Sequence, residues 1–209
     1  MIRLIAFVSL LLIAVLPAAG ARAAHVPSAD RKLEALALRG SEVPNGYTNP
    51  HTRLYTHAVS KMTVPAKAGH VSSPISCLVP SYAATDGMRA GFIQGFSSQR
   101  TGYSLQVCAY SFATDQGAHA FFHSFATKLL LARVKMHLDK RMTFHTGDES
   151  VATNHGEATC SCSPAITLRV YNGFWRQGSV DVAVSYAGPP TYTSAEFLAM
   201  LPGVNKRLQ

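Results

Sequence analysis

The sequence has little charge, and negative charge is the scarcer kind. Charged residues make up 14% of 209, and 11 acids stand against 19 Lys and Arg, for a formal charge of +8. Few carboxylates leave few partners for paired acid/base chemistry. The signatures of the common catalysts are also missing. There is no G-x-S-x-G elbow, no glycine-rich phosphate loop, no C-x-x-C and no C-x-x-C-H. Their absence argues against α/β-type hydrolases, P-loop enzymes, thioredoxin-like redox proteins and c-type haem proteins. No Lys/Arg run interleaved with aromatics occurs, which argues against nucleic acid as a partner. Arg133, Lys135, Lys140, Arg141 and the tail Lys206-Arg207 come closest to clustering, and they read as a solvated basic face. No Asn-x-Ser/Thr acceptor is present, in keeping with a bacterial origin.

Long apolar runs are absent too, apart from Leu4–Val15, which only Ser9 interrupts. A bilayer span needs about 20 residues, so this run is too short to cross comfortably. Arg3 precedes it, Pro17 breaks it, and Ala21-Arg22-Ala23 offers small residues to a signal peptidase. Residues 1–23 therefore read as a signal peptide, and 24–209 as one domain of a secreted or periplasmic protein without a membrane span. Losing Arg3 and Arg22 with the leader lowers the formal charge to +6. That surplus favours an anionic envelope component, or a small ligand, as partner.

Cysteine is scarce and even in number: Cys77, Cys108, Cys160 and Cys162. An oxidising compartment turns such a set into disulfides. Cys160 and Cys162 share one face of a strand near the outer limit of disulfide reach. The preferred scheme pairs Cys77 and Cys108 each with one of them. The alternative joins Cys77 to Cys108 and leaves a strained, redox-labile Cys160–Cys162 bridge.

What is present is clear periodicity in two regions. Arg89–Ser98 and Tyr103–Phe112 alternate as strands around Gln99-Arg100-Thr101-Gly102, and Thr114-Asp115 opens a helix whose stripe is Ala118, Phe121, Phe122, Phe125 and Leu129. Ala165–Arg176 and Ser179–Tyr186 form a second pair, with Asn172-Gly173 as a further candidate turn or bulge. A helix follows with capping-box spacing at Thr193-Ser194-Ala195-Glu196, and Pro202 is expected to kink or split it. Ser28 reads as the cap of a short helix ending at Gly40, and Arg53–Ser60 as an edge strand. Lys135–Pro164 reads as the joining segment. The expected fold is α+β: an antiparallel sheet with helices on one face, and a strand–strand–helix plan occurring twice. A ligand then belongs on the open sheet face.

Val43-Pro44-Asn45-Gly46-Tyr47, Gly91-Phe92, Phe112-Ala113-Thr114, Gly147-Asp148-Glu149-Ser150 and Trp175-Arg176-Gln177-Gly178 follow one another in that order. In this ordering the chain resembles a loose group of exported bacterial proteins. The resemblance covers most of residues 24–209 and implies export; the group carries no agreed activity to transfer.

Four sets of residues are candidates for a functional role. His119 and His123 stand one helical turn apart, a spacing that suits two ligands of zinc or copper, with no third ligand apparent. His155 with Cys160 and Cys162 has the softness Cu(I) prefers, in competition with disulfides. Asp148 and Glu149 follow a glycine in a loop, as functional carboxylates often do, but as sequence neighbours they point apart. Phe174 and Trp175 fall on opposite faces of a strand, and one of them is a candidate for lining a ligand groove. The leading reading is an exported, disulfide-stapled, non-enzymatic binding or structural module that needs no cofactor. The alternatives are a Zn or Cu protein using His119 and His123, and a secreted hydrolase with a spatially assembled site.

Overall fold

The structure is a computed structural model that describes residues 33, 35–44, 47–56, 63–64, 79–80, 86–98, 103–137, 139–160 and 165–208. The expected leader 1–23, the Ser28 cap, the connection Gln99–Gly102, and Cys77 and Cys162 lie outside these residues. No described helix is long and apolar enough to cross a membrane.

A seven-stranded sheet dominates, in the order β1 (Thr48–Thr56), β4 (Met88–Ser98), β5 (Tyr103–Phe112), β9 (Val180–Gly188), β8 (Ile166–Gln177), β7 (Glu149–Cys160) and β6 (Lys140–Met142). Every neighbouring pair in it is antiparallel. A separate two-residue parallel pair joins β2 (Thr63–Val64) to β3 (Val79–Pro80). The architecture is α+β, as the alternating runs predict. The segment expected only to join the halves supplies two strands of the sheet, β6 and the long β7. Four strands, β6 to β9, therefore lie between the first helical rod and the last helix, where two were expected.

The helices cover both faces of the sheet, which corrects the expectation of one covered and one open face. On one side lie α1 (Asp115–Phe121), a π-helical turn (Phe122–Thr127) and α2 (Lys128–Lys135), running as one continuous rod. Phe121, Phe122 and Leu130 pack there with Tyr110, Phe174 and Ala183. On the other side α3 (Ser194–Asn205) and the segment Leu33–Leu38 bury Trp175, Val182, Val184 and Tyr186. The physical reason lies in the central strands, which are apolar or small on both faces. Every residue of β9 from Asp181 to Gly188 is buried, so the strand cannot present a wet side.

Gly173 is neither turn nor bulge. It sits inside β8, where a Cβ would come within 2.8 Å of Leu201 Cδ1, so α3 needs the missing side chain to pack closely. The bulge of this region falls instead on β7, between Asn154 and Gly156. Thr193 caps α3 through a full capping box with Glu196. Pro202 does not split α3, because it stands in the final turn, where the Lys206 N–H still reaches its carbonyl at 3.0 Å. Arg207 then ties the helix end to the N-terminal segment through Glu42 and the Ala37 carbonyl.

Candidate metal centre on the first helix

Thr114 caps α1 by accepting a 3.1 Å hydrogen bond from the Gly117 N–H, and Ala118 and Phe121 turn inward. His119 and His123 consequently fall at the margin of the buried stripe, over β7. The π turn begins between them, at Phe122, and such turns often mark functional positions. Both imidazoles meet the same carboxylate. The His119 Nδ1–H donates to Glu149 Oε1 at 2.8 Å, and the His123 Nε2–H donates to Oε2 at 2.6 Å. The rings pack edge-to-face with centroids 4.4 Å apart. The imidazoles are about half exposed (55% and 50%) and the carboxylate only 22%, so the cluster is floored by protein and open above.

Glu149 is fixed from below by a row of cross-strand partners. Glu149 pairs with Arg176, Arg176 with Asp181, and Asp181 with Tyr110, so all four side chains project from the face covered by α1. Arg176 donates through Nε to Glu149 Oε1 at 2.6 Å and approaches Asp148 Oδ2 at 3.3 Å. Asp148 also accepts from the Gly178 N–H at 2.7 Å. Gly147 permits this arrangement, with a φ of 63° and no room for a side chain, since a Cβ there would run into the Arg176 carbonyl. Burial alone would raise the Glu149 carboxyl, but the hydrogen bonds from His119, Arg176 and His123 outweigh it and hold the group at about 2. Asp181 is the opposite case. It is fully buried with neither oxygen hydrogen-bonded, and burial pushes its carboxyl well up despite the opposing charge of Arg176.

The cluster is the one group of three or more His, Cys, Asp or Glu among the described residues that suits a metal ion, and its ligand atoms all lie within 4.8 Å of one another. The sequence predicts the two histidines but misses the third member. Glu149 lies 26 and 30 residues away, and only the packing of α1 on β7 brings it in. Asp148 and Glu149, expected to point apart as sequence neighbours, take different partners and share Arg176.

The other predicted site residues sit apart. Phe174 and Trp175 are fully buried on opposite faces. Phe174 stacks on Phe122 at 5.1 Å, while Trp175 donates its Nε1–H to Asn205 Oδ1 at 2.9 Å. Neither ring reaches solvent. Ser150, beside Glu149, donates to the Phe144 carbonyl and is aimed away from the imidazoles. It lines a cleft of about 360 Å³ with Arg141, Thr143, Phe144 and His145. His155 is turned by the bulge onto buried Asp139, its Nδ1–H donating to Oδ1 at 2.7 Å. Cys108 is disulfide-bonded, and no described cysteine is free.

No family model and no curated protein matches the chain. Among solved structures it is similar to the extracellular domain of PknH from Mycobacterium tuberculosis, with a TM-score of 0.52 over 87% of this chain and 99% of that one. At 15% identity the likeness is one of fold.

Proposed function

We propose that this protein is an exported, non-enzymatic binding module that takes up one divalent ion of the zinc class at His119, His123 and Glu149. The observation that carries the reading is the convergence of two imidazole nitrogens and a carboxylate on one half-exposed point. Two nitrogens and one oxygen suit Zn(II) or Cu(II) better than Cu(I), which prefers sulfur. Tetrahedral zinc with bonds of about 2.0 Å sets its ligand atoms about 3.3 Å apart. The present separations of 2.6 and 2.8 Å belong to shared protons, so the ion enters by displacing those protons and widening each gap by about 0.5–0.7 Å. Arg176 stays on Glu149 as an outer partner that orients the carboxylate. The fourth position faces solvent and takes a water or a ligand atom from a partner. Export is supported by the leader-like first residues and by the extracellular origin of the PknH domain. Disulfides from Cys77 and Cys108 to Cys160 and Cys162 belong to the same reading, and non-reducing peptide mapping checks them.

Isothermal titration of chelator-stripped protein with zinc chloride at pH 7 tests the site. One equivalent is expected to bind, with His119→Ala and His123→Ala each weakening the affinity at least about tenfold. Absence of binding, or binding indifferent to both replacements, would overturn it.

A further inference from the structure

Far along the same rod from the imidazoles, α2 ends at Lys135 and the chain turns through Met136 and His137 into the edge strand β6. Met136 is 60% exposed, the one large apolar side chain among the described residues that stands in solvent. Lys135, His137, Lys140 and Arg141, close to it in the chain, are exposed too. His137 holds a φ of 56°, a left-handed conformation uncommon outside glycine, and its N–H closes the turn on the Val134 carbonyl.

The acid of this turn is directed inward. Asp139 has a fully buried side chain, where Arg133 donates to both its oxygens at 3.0–3.1 Å and His155 donates to Oδ1 at 2.7 Å. The knot fixes the turn to α2 and β7 and cancels its negative charge inside the protein. Among the described residues no carboxylate pairs with Lys135, Lys140 or Arg141. The result is an anchored turn with an exposed thioether and three permanent cations close to it in the chain.

We propose that Met136, together with Lys135, Lys140 and Arg141, forms a membrane contact that seats on anionic phospholipid. Met136 enters the headgroup–acyl boundary, while Lys135, Lys140 and Arg141 lie against lipid phosphates. The cations alone would serve any polyanion. The exposed Met136 is what selects a bilayer, because a soluble polymer offers it no apolar phase. This surface is independent of the imidazole–carboxylate cluster.

Co-sedimentation of the protein with vesicles at low ionic strength tests the proposal. Binding is expected to vesicles containing phosphatidylglycerol and not to pure phosphatidylcholine. A cation near an anionic surface contributes about fivefold in affinity, so a K135Q/K140Q/R141Q variant is expected to lose roughly a hundredfold. Met136→Ser should weaken vesicle binding several-fold and leave retention on heparin unchanged. Circular dichroism melts confirm that these exposed replacements keep the fold. Equal binding to neutral vesicles, or undiminished binding by the triple variant, overturns the proposal. So does a Met136→Ser protein that binds vesicles as well as the parent, which would mark the patch as a general polyanion surface.

Discussion

Replacing Glu149 with Gln removes the negative charge on which His119, His123 and Arg176 converge, and leaves their donors facing a neutral amide. The folded carboxyl is held at about 2 against an ordinary 4.5, because three hydrogen bonds outweigh the opposing effect of burial. At about 1.4 kcal/mol per unit this difference sets a ceiling of about 3 kcal/mol at neutral pH. Both imidazoles are half exposed, and solvent screening brings the expected loss to about 2 kcal/mol. The sign follows from a depressed carboxylate. Its contribution is complete above pH 4.5 and disappears as pH falls through about 2. Urea unfolding of the parent and Glu149→Gln proteins, in the presence of a chelator, should differ by about 2 kcal/mol at pH 6–7 and about 1 kcal/mol at pH 3, converging near pH 2. A gap that stays constant from pH 7 to pH 2 would refute the reasoning, since it would owe nothing to the charge of Glu149.

Asp181 should respond with the opposite sign. A raised carboxyl favours the fold at pH below the ordinary 3.8 and disfavours it as pH rises, so Asp181→Asn is expected to stabilise by about 1–2 kcal/mol at pH 7 and hardly at all at pH 3.5. Unchanged or lower stability at pH 7 would mean that the carboxylate is ionised and paired in the fold. Asn205→Leu strands the buried Trp175 N–H without its acceptor and is expected to cost about 1–3 kcal/mol, read as a lowered melting temperature. An unaltered melt would show that the indole finds another acceptor.

The sequence reveals what is local. The period-2 runs predict β5 at Tyr103–Phe112, and the capping box places the start of α3 at Thr193. Two misreadings have physical causes. Val180, Val182 and Val184 mark one face of β9, but Ala183 and Ser185 are small enough to be covered as well, so a second layer fits where an open face is expected. Strand β7 carries Asn154, His155, Gly156 and Glu157 in mid-run, a polar stretch that hides its pairing; there a bulge and the knot around Asp139 replace apolar alternation. The helical stripe is legible where its side chains are described. Leu130, after the π turn, is buried beside the expected Ala118, Phe121 and Phe122. At the site, the four-residue spacing of His119 and His123 is legible from the chain alone. Glu149 and Arg176 are not, because they arrive through strand register and helix docking.

The most direct measurement is X-ray absorption at the zinc edge of the protein loaded with one equivalent of zinc. The account predicts a shell of nitrogen and oxygen donors only, with the outer scattering of two imidazoles, reduced to one in His123→Ala. A sulfur shell, or two imidazoles persisting in His123→Ala, would contradict it.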